Sequence, residues 1–160
     1  MDWIHFFESL TMNDDRKFGF TIPASEDRLN VLQEQLGLAQ LPPELDELYK
    51  QTNGVQDCLF IESINELIVS GWLIWDLDRV LDTNTFHRNS DRYKKIYKSF
   101  DNLLFFSDAG NGDLFAFETL KGKIEGPDVY VWNHEDDSRE WVAPSMKDFA
   151  EGWASGAIKI

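Results

Sequence analysis

The chain has a single cysteine, Cys58, so no internal disulfide can form and a disulfide-stapled scaffold is excluded. The apolar neighbours Leu59, Phe60 and Ile61 favour a buried, inert thiol. Histidines are few. His5, His87 and His134 lie far apart and share no metal-ligand spacing, so no metal or cofactor is expected. No serine or cysteine stands in a recognisable nucleophile motif. No run of 18 apolar residues exists, which excludes a membrane-spanning helix. The N-terminal Met1-Asp2-Trp3-Ile4-His5 lacks a basic region followed by an apolar run, so a secretory signal is not expected and a reducing cytoplasm is. Basic residues are also scarce, at 15 against 29 acidic, for a net charge of −14. Such a surface repels nucleic acid and anionic lipid, so neither is expected as a partner. It attracts basic proteins, although acidity alone also serves solubility.

The 160 residues, 42% hydrophobic and 14% aromatic, suffice for a substantial core, and one domain spanning residues 1–160 is expected. The acidic excess is uneven. Residues 1–57 carry 11 acids and 4 bases, residues 58–100 carry 6 of each, and residues 101–160 carry 12 acids and 5 bases.

Trp3, Phe6, Phe7 and Leu10 recur at helical spacing. Ser25 is a candidate N-cap for an apolar stripe of Leu29, Leu32 and Leu36, with Gly37 as its stop, so a helix is predicted over Ser25–Gly37. A second is predicted over Pro43–Thr52, buried through Leu45, Leu48 and Tyr49 and ended by Asn53-Gly54. Short β-favouring runs follow at Cys58–Ile61, Ile68–Ser70 and Trp72–Trp75. Asp76 can cap a helix running toward Phe86. Arg88, Arg92, Lys94, Lys95 and Lys98 form the one basic cluster, read as a solvated face. Leu103–Phe106 and Leu114–Glu118 read as paired strands, and Val129–Trp132 as another. Ser145-Met146-Lys147-Asp148 has the pattern of a capping box before an apolar helical face of Met146, Phe149, Ala150 and Trp153. The expected class is therefore α+β: N-terminal helices, a mostly antiparallel twisted sheet and a closing C-terminal helix.

Two segments could carry chemistry. The turn holding Asp108, Gly110, Asn111, Gly112 and Asp113 has acidic spacing suggestive of Ca²⁺. A complete loop needs a glutamate at its twelfth position, which here is Thr119. Turn chemistry explains the same residues: the glycines supply positive φ, and the aspartates bond to the turn. In Trp132-Asn133-His134-Glu135-Asp136-Asp137, His134 could act as a general base oriented by Glu135 or Asp136. The simpler reading is a turn with a solvated acidic tip. Trp75 and Trp132 fit core positions, while Trp72 and Trp141 fit partly exposed ones that can anchor a partner.

Leu41-Pro42-Pro43-Glu44-Leu45 running to Asn53-Gly54, then Phe105–Asp113, then Val129–Glu135, occur in an order and spacing that resembles the SUKH superfamily over roughly Thr21 to the C-terminus. Its Gly-Asp pair before a strand corresponds to Gly112-Asp113, and its aromatic–amide–His–acid pattern to Trp132 through Glu135. The superfamily includes a fungal cell-wall regulator and bacterial immunity proteins that bind a cognate toxin. The resemblance implies a non-catalytic inhibitor of a toxin domain with a basic surface, such as a nuclease. Glu135, Asp136, Asp137, Asp113 and Glu118 are the candidate contact residues, with Trp72 and Trp141 beside them. A signalling or cell-wall scaffold is the alternative reading. A carboxylate hydrolase is a third, requiring Asp113 and Glu118 to converge in a pocket.

Overall fold

Helix starts in this chain are set mainly by side chains that accept otherwise unpaired backbone N–H groups. The computed structural model describes residues 1–10 and 15–160. In it Asp2 caps α1 (Trp3–Ser9) and Ser25 caps α2 (Glu26–Leu36), which Gly37 ends at a φ of 64°. Pro42-Pro43 starts α3 (Pro43–Tyr49) without a side-chain cap. Asp76 caps α4 (Leu77–Asn89), and the short α5 (Tyr93–Ile96) follows. Ser145 caps α6 (Met146–Ala154), its hydroxyl accepting the Asp148 N–H at 3.0 Å and donating to the Asp148 carboxylate.

The expected second helix stops at Tyr49, short of Thr52. Thr52 is buried and its hydroxyl serves the turn instead, accepting the Thr21 N–H at 2.9 Å and donating to the Gly54 carbonyl at 2.8 Å. Asn53 does more than end a helix: its Oδ1 accepts the Leu77 N–H at 3.0 Å, at the start of α4. At Gly54, φ is 90° and a Cβ would fall 2.8 Å from the Ile74 carbonyl oxygen, so only glycine fits without strain.

Strands β1 (Arg16–Phe20), β2 (Val55–Ile61) and β3 (Glu66–Ile74) form one antiparallel sheet in that order. Strands β4 (Leu103–Asp108), β5 (Leu114–Leu120), β6 (Lys123–Trp132) and β7 (Arg139–Ala143) form a second as a meander. The single sheet of the sequence reading is thus two. Helices α4 and α5 separate β3 from β4 in the chain, and the sheets are joined where the Trp75 N–H donates to the Phe106 carbonyl at 3.0 Å and the Ser107 hydroxyl donates to the Leu73 carbonyl at 2.6 Å. The Ile68–Ser70 and Trp72–Trp75 runs belong to one strand, with Trp75 just beyond its end.

The buried cluster joins Trp3 and Phe7 of α1, the leucines of α2 and α3, Phe105, Phe106, Phe115 and Phe117 of the second sheet, and Met146 and Phe149 of α6. Each such side chain contributes about 1.5–3 kcal/mol on burial, so this cluster dominates the stability. Trp75, Trp132 and Cys58 are buried as expected. Asn84 is buried too. Its amide donates to the Val80 and Phe105 carbonyls and accepts the Phe105 N–H at 2.9 Å, pinning α4 to β4. Among the described residues no helix is long and apolar enough to cross a membrane.

Candidate partner-binding site

The β4–β5 and β6–β7 turns lie side by side because β5 and β6 pair antiparallel, with Leu114 opposite Trp132. In the first turn the Asp108 carboxylate accepts the Gly110 N–H at 3.0 Å, and the Asn111 side chain accepts the Asp113 N–H at 2.9 Å. Gly110 and Gly112 both have positive φ, as the turn reading predicts. A Cβ on Gly112 would fall 2.9 Å from His134 Cε1, so this glycine also leaves room for the neighbouring ring.

Asp113 faces away from solvent, 4% exposed, and points across to the second turn. Its Oδ1 meets both the His134 N–H and His134 Nδ1. The partner of His134 is therefore Asp113, 21 residues away, and not Glu135 or Asp136. Burial pushes the Asp113 carboxyl up, but bonds from the His134 ring, the His134 backbone and Asn111 outweigh it and hold the group below its ordinary value. As a buried carboxylate bonded through both oxygens, Asp113 is a latch between the turns.

The expected solvated tip divides in two. Glu135 and Asp136 are exposed, Asp136 accepting the Ser138 N–H at 2.9 Å. Asp137 is turned inward, with a side chain 12% exposed and a φ of 61°. One of its oxygens accepts the Trp132 indole N–H at 2.8 Å and lies 3.5 Å from the Arg139 guanidinium; the other accepts the Lys98 N–H at 2.8 Å. Asp137 is corrected from contact residue to strut: the indole and the backbone N–H of another segment need an acceptor, and burial would be costly without one. The Tyr97 hydroxyl adds a bond to the His134 carbonyl at 2.9 Å.

That second segment is the basic one. Arg88, placed on a solvated face by the sequence, instead donates to the Leu36 carbonyl at 3.0 Å and the Leu103 carbonyl at 2.7 Å. Lys94, Lys95 and Lys98 do lie along the segment strapped to the acidic turn.

Carboxylates also fix the tryptophans. Asp108 accepts the Trp75 indole N–H at 2.7 Å and pairs with Arg79 at 3.0 Å. With Asp108, Asn111 and Asp113 all bonded within the protein, the loop is not arranged as an open Ca²⁺ cage. Among the described residues no group of three or more His, Cys, Asp or Glu side chains could hold a metal ion. Asp128 accepts the Trp141 indole N–H at 2.8 Å, yet Trp141 remains 57% exposed on β7. Exposed Glu140 lies beside it, and Trp141, Glu140, Asp136 and residues 157–160 line a groove of about 420 Å³.

The other two candidates lie apart. Glu118 is half-buried on β5, with the Tyr130 hydroxyl of β6 bonded to it. It is five residues from Asp113, about 16 Å along an extended strand, so the pair does not converge on one substrate atom. Trp72 is on β3 in the other sheet, partly buried over Gly54, where its Cζ3 would lie 2.8 Å from a Cβ.

Comparison with known families places residues 23–152 on the model described as the SMI1 / KNR4 family (SUKH-1), which spans both turns. No curated protein matches the chain.

Proposed function

Because the chain belongs to the SMI1/KNR4 (SUKH-1) family, we propose that it is an immunity protein that binds a cognate toxin domain and neutralises it stoichiometrically, without catalysis. The observation that carries the site is Trp141, a large aromatic anchored through Asp128 but left exposed in one groove with Glu140 and Asp136. Rigid aromatic side chains ringed by polar groups make strong protein contacts. The carboxylates suit a toxin whose own cleft is basic, as a nuclease's is, and speed its encounter.

The expected site is cytoplasmic, where the toxin acts. The scaffold reading rests on the same family match, since the superfamily also holds a cell-wall regulator. Affinity capture from the native host with the tagged chain, followed by mass spectrometry, separates the two. The immunity reading expects a protein that kills cells when expressed alone and is silenced by equimolar co-expression of this chain. A captured partner that is harmless on its own would favour the scaffold and sink the toxin assignment.

A further inference from the structure

The β2–β3 hairpin holds a surface that the site above leaves out. Leu59, Ile64, Leu67, Ile68 and Val69 are each about half exposed, five large apolar side chains within one hairpin. They lie on both faces: Leu59 is opposite Ile68, and Phe60 is opposite Leu67. Monomers rarely leave such a cluster open without a use. Among the described residues β3 is also the last strand of its sheet, and hydrogen bonds from the second sheet reach it at Leu73 and, just past its end, at Trp75. Among the described residues Glu66–Ser70 has a strand neighbour on one side only. Exposed edges of this kind are ordinarily blunted by lysine or proline, and Glu66–Ser70 contains neither.

We propose that the open edge of β3 takes an extended strand of a cationic partner protein, which continues the β1–β2–β3 sheet by backbone hydrogen bonding. This rests on the reading that the chain binds a basic protein, and it adds a second contact away from Trp141. Strand addition supplies affinity through the main chain, and pockets for alternate side chains supply selectivity. The charge decides the occupant. Glu62 and Glu66 flank the hairpin turn; Lys17 shares a groove with Leu67, but Glu8 lines the same groove, and Arg16 on β1 is held by Asp57 at 2.7 Å. A second copy would bring another −14 chain and the same glutamates to this edge, which opposes self-pairing.

The probe is a synthetic eight-residue peptide alternating lysine with valine, titrated into the full-length ¹⁵N-labelled protein. Saturable shifts centred on the Leu67–Gly71 amides are expected, with slowed hydrogen exchange there. A backbone N-methylated peptide should produce none of this, and a glutamate-for-lysine peptide should bind about tenfold more weakly or worse. Ile68→Lys should weaken the lysine peptide by a similar factor at unchanged Tm, whereas Trp141→Ala should leave the titration as it was. Absence of saturable binding, shifts centred elsewhere, or equal binding of the N-methylated peptide would overturn the proposal. So would light scattering that shows a dimer of the free protein dissolved by Ile68→Lys, since a second copy would then be the occupant. The peptide titration does not depend on capture of a toxin, so failure of the immunity reading and failure of the edge are separately visible.

Discussion

Asp113 Oδ1 accepts two hydrogen bonds from one residue, the backbone N–H of His134 at 3.0 Å and its ring Nδ1 at 2.7 Å. The first fixes the position of the β6–β7 turn and the second fixes the ring. Together they couple the two turns that frame the exposed carboxylates and Trp141.

Removing that coupling should cost stability before it costs binding. Asp113→Ala leaves a backbone N–H and a ring nitrogen without their acceptor, and a loss of about 1–3 kcal/mol is expected. His134→Ala keeps the carboxylate's bond to the backbone N–H, and its loss should be smaller. Chemical denaturation of both variants measures this. Equal stability of Asp113→Ala and the unmodified chain would show that the latch is dispensable.

Acid should destabilise the fold in two stages. His87 sits among Phe86, Tyr93, Phe100, Phe105 and Trp132, with Nδ1 donating to the Thr83 carbonyl at 2.8 Å. Burial lowers its pKa below the ordinary 6.5, partly offset by that bond. Above 6.5 the ring is neutral folded or unfolded, and it imposes no pH dependence. Below 6.5 the unfolded chain takes up the proton first, so stability falls with pH. Asp113 acts lower: its folded pKa is depressed, so its contribution is present above the ordinary 3.8 and lost as pH falls further. Stability against pH for His87→Phe should lack the first decline, and for Asp113→Asn the second.

Trp141 and Trp75 share a chemistry and should respond oppositely. Each indole N–H is held by a carboxylate, Asp128 for one and Asp108 for the other, but only Trp75 is buried. Trp141→Ala should leave Tm within a few degrees and weaken a captured toxin by about 2 kcal/mol or more, the scale of a hot spot. Trp75→Ala should cost about 3–5 kcal/mol in stability. Calorimetric titration beside thermal melts tests both. An unchanged toxin affinity in Trp141→Ala would move the interface elsewhere.

What was legible in the sequence was local. Ser25, Asp76 and Ser145 cap the helices that follow them in sequence, because a cap is a contact over three residues. The Asp108–Asp113 turn was legible for the same reason. Contacts between distant segments were not. Sequence proximity offers His134 only its neighbours Glu135 and Asp136 as orienters, whereas strand pairing gives it Asp113. Asn84 breaks the apolar stripe of α4 between Val80 and His87, a signal of a buried amide with a partner, but only the fold shows that the partner is Phe105. Asp137 offered no signal at all: in sequence it is one of three consecutive acids, and its burial depends on Lys98 and Trp132.

That division of the acidic run gives the final test. Glu135 and Asp136 are exposed, so reversing both to lysine should leave the melting temperature nearly unchanged. If they face a basic toxin, association should slow, most at low salt. The difference should shrink near physiological ionic strength, where the Debye length is about 8 Å and rim charges are screened. Asp137→Ala should do the reverse. It strips the acceptor from the Trp132 indole and the Lys98 N–H, so stability should drop by about 1–3 kcal/mol, while the association rate of the remaining folded protein keeps its salt dependence. Asp137→Asn, which retains an acceptor oxygen and tolerates positive φ, should lie between. Stopped-flow association across a salt series, paired with denaturation curves, distinguishes the two classes. An association rate untouched by the double reversal would remove this turn from the interface, and a stable Asp137→Ala would remove Asp137 from the scaffold.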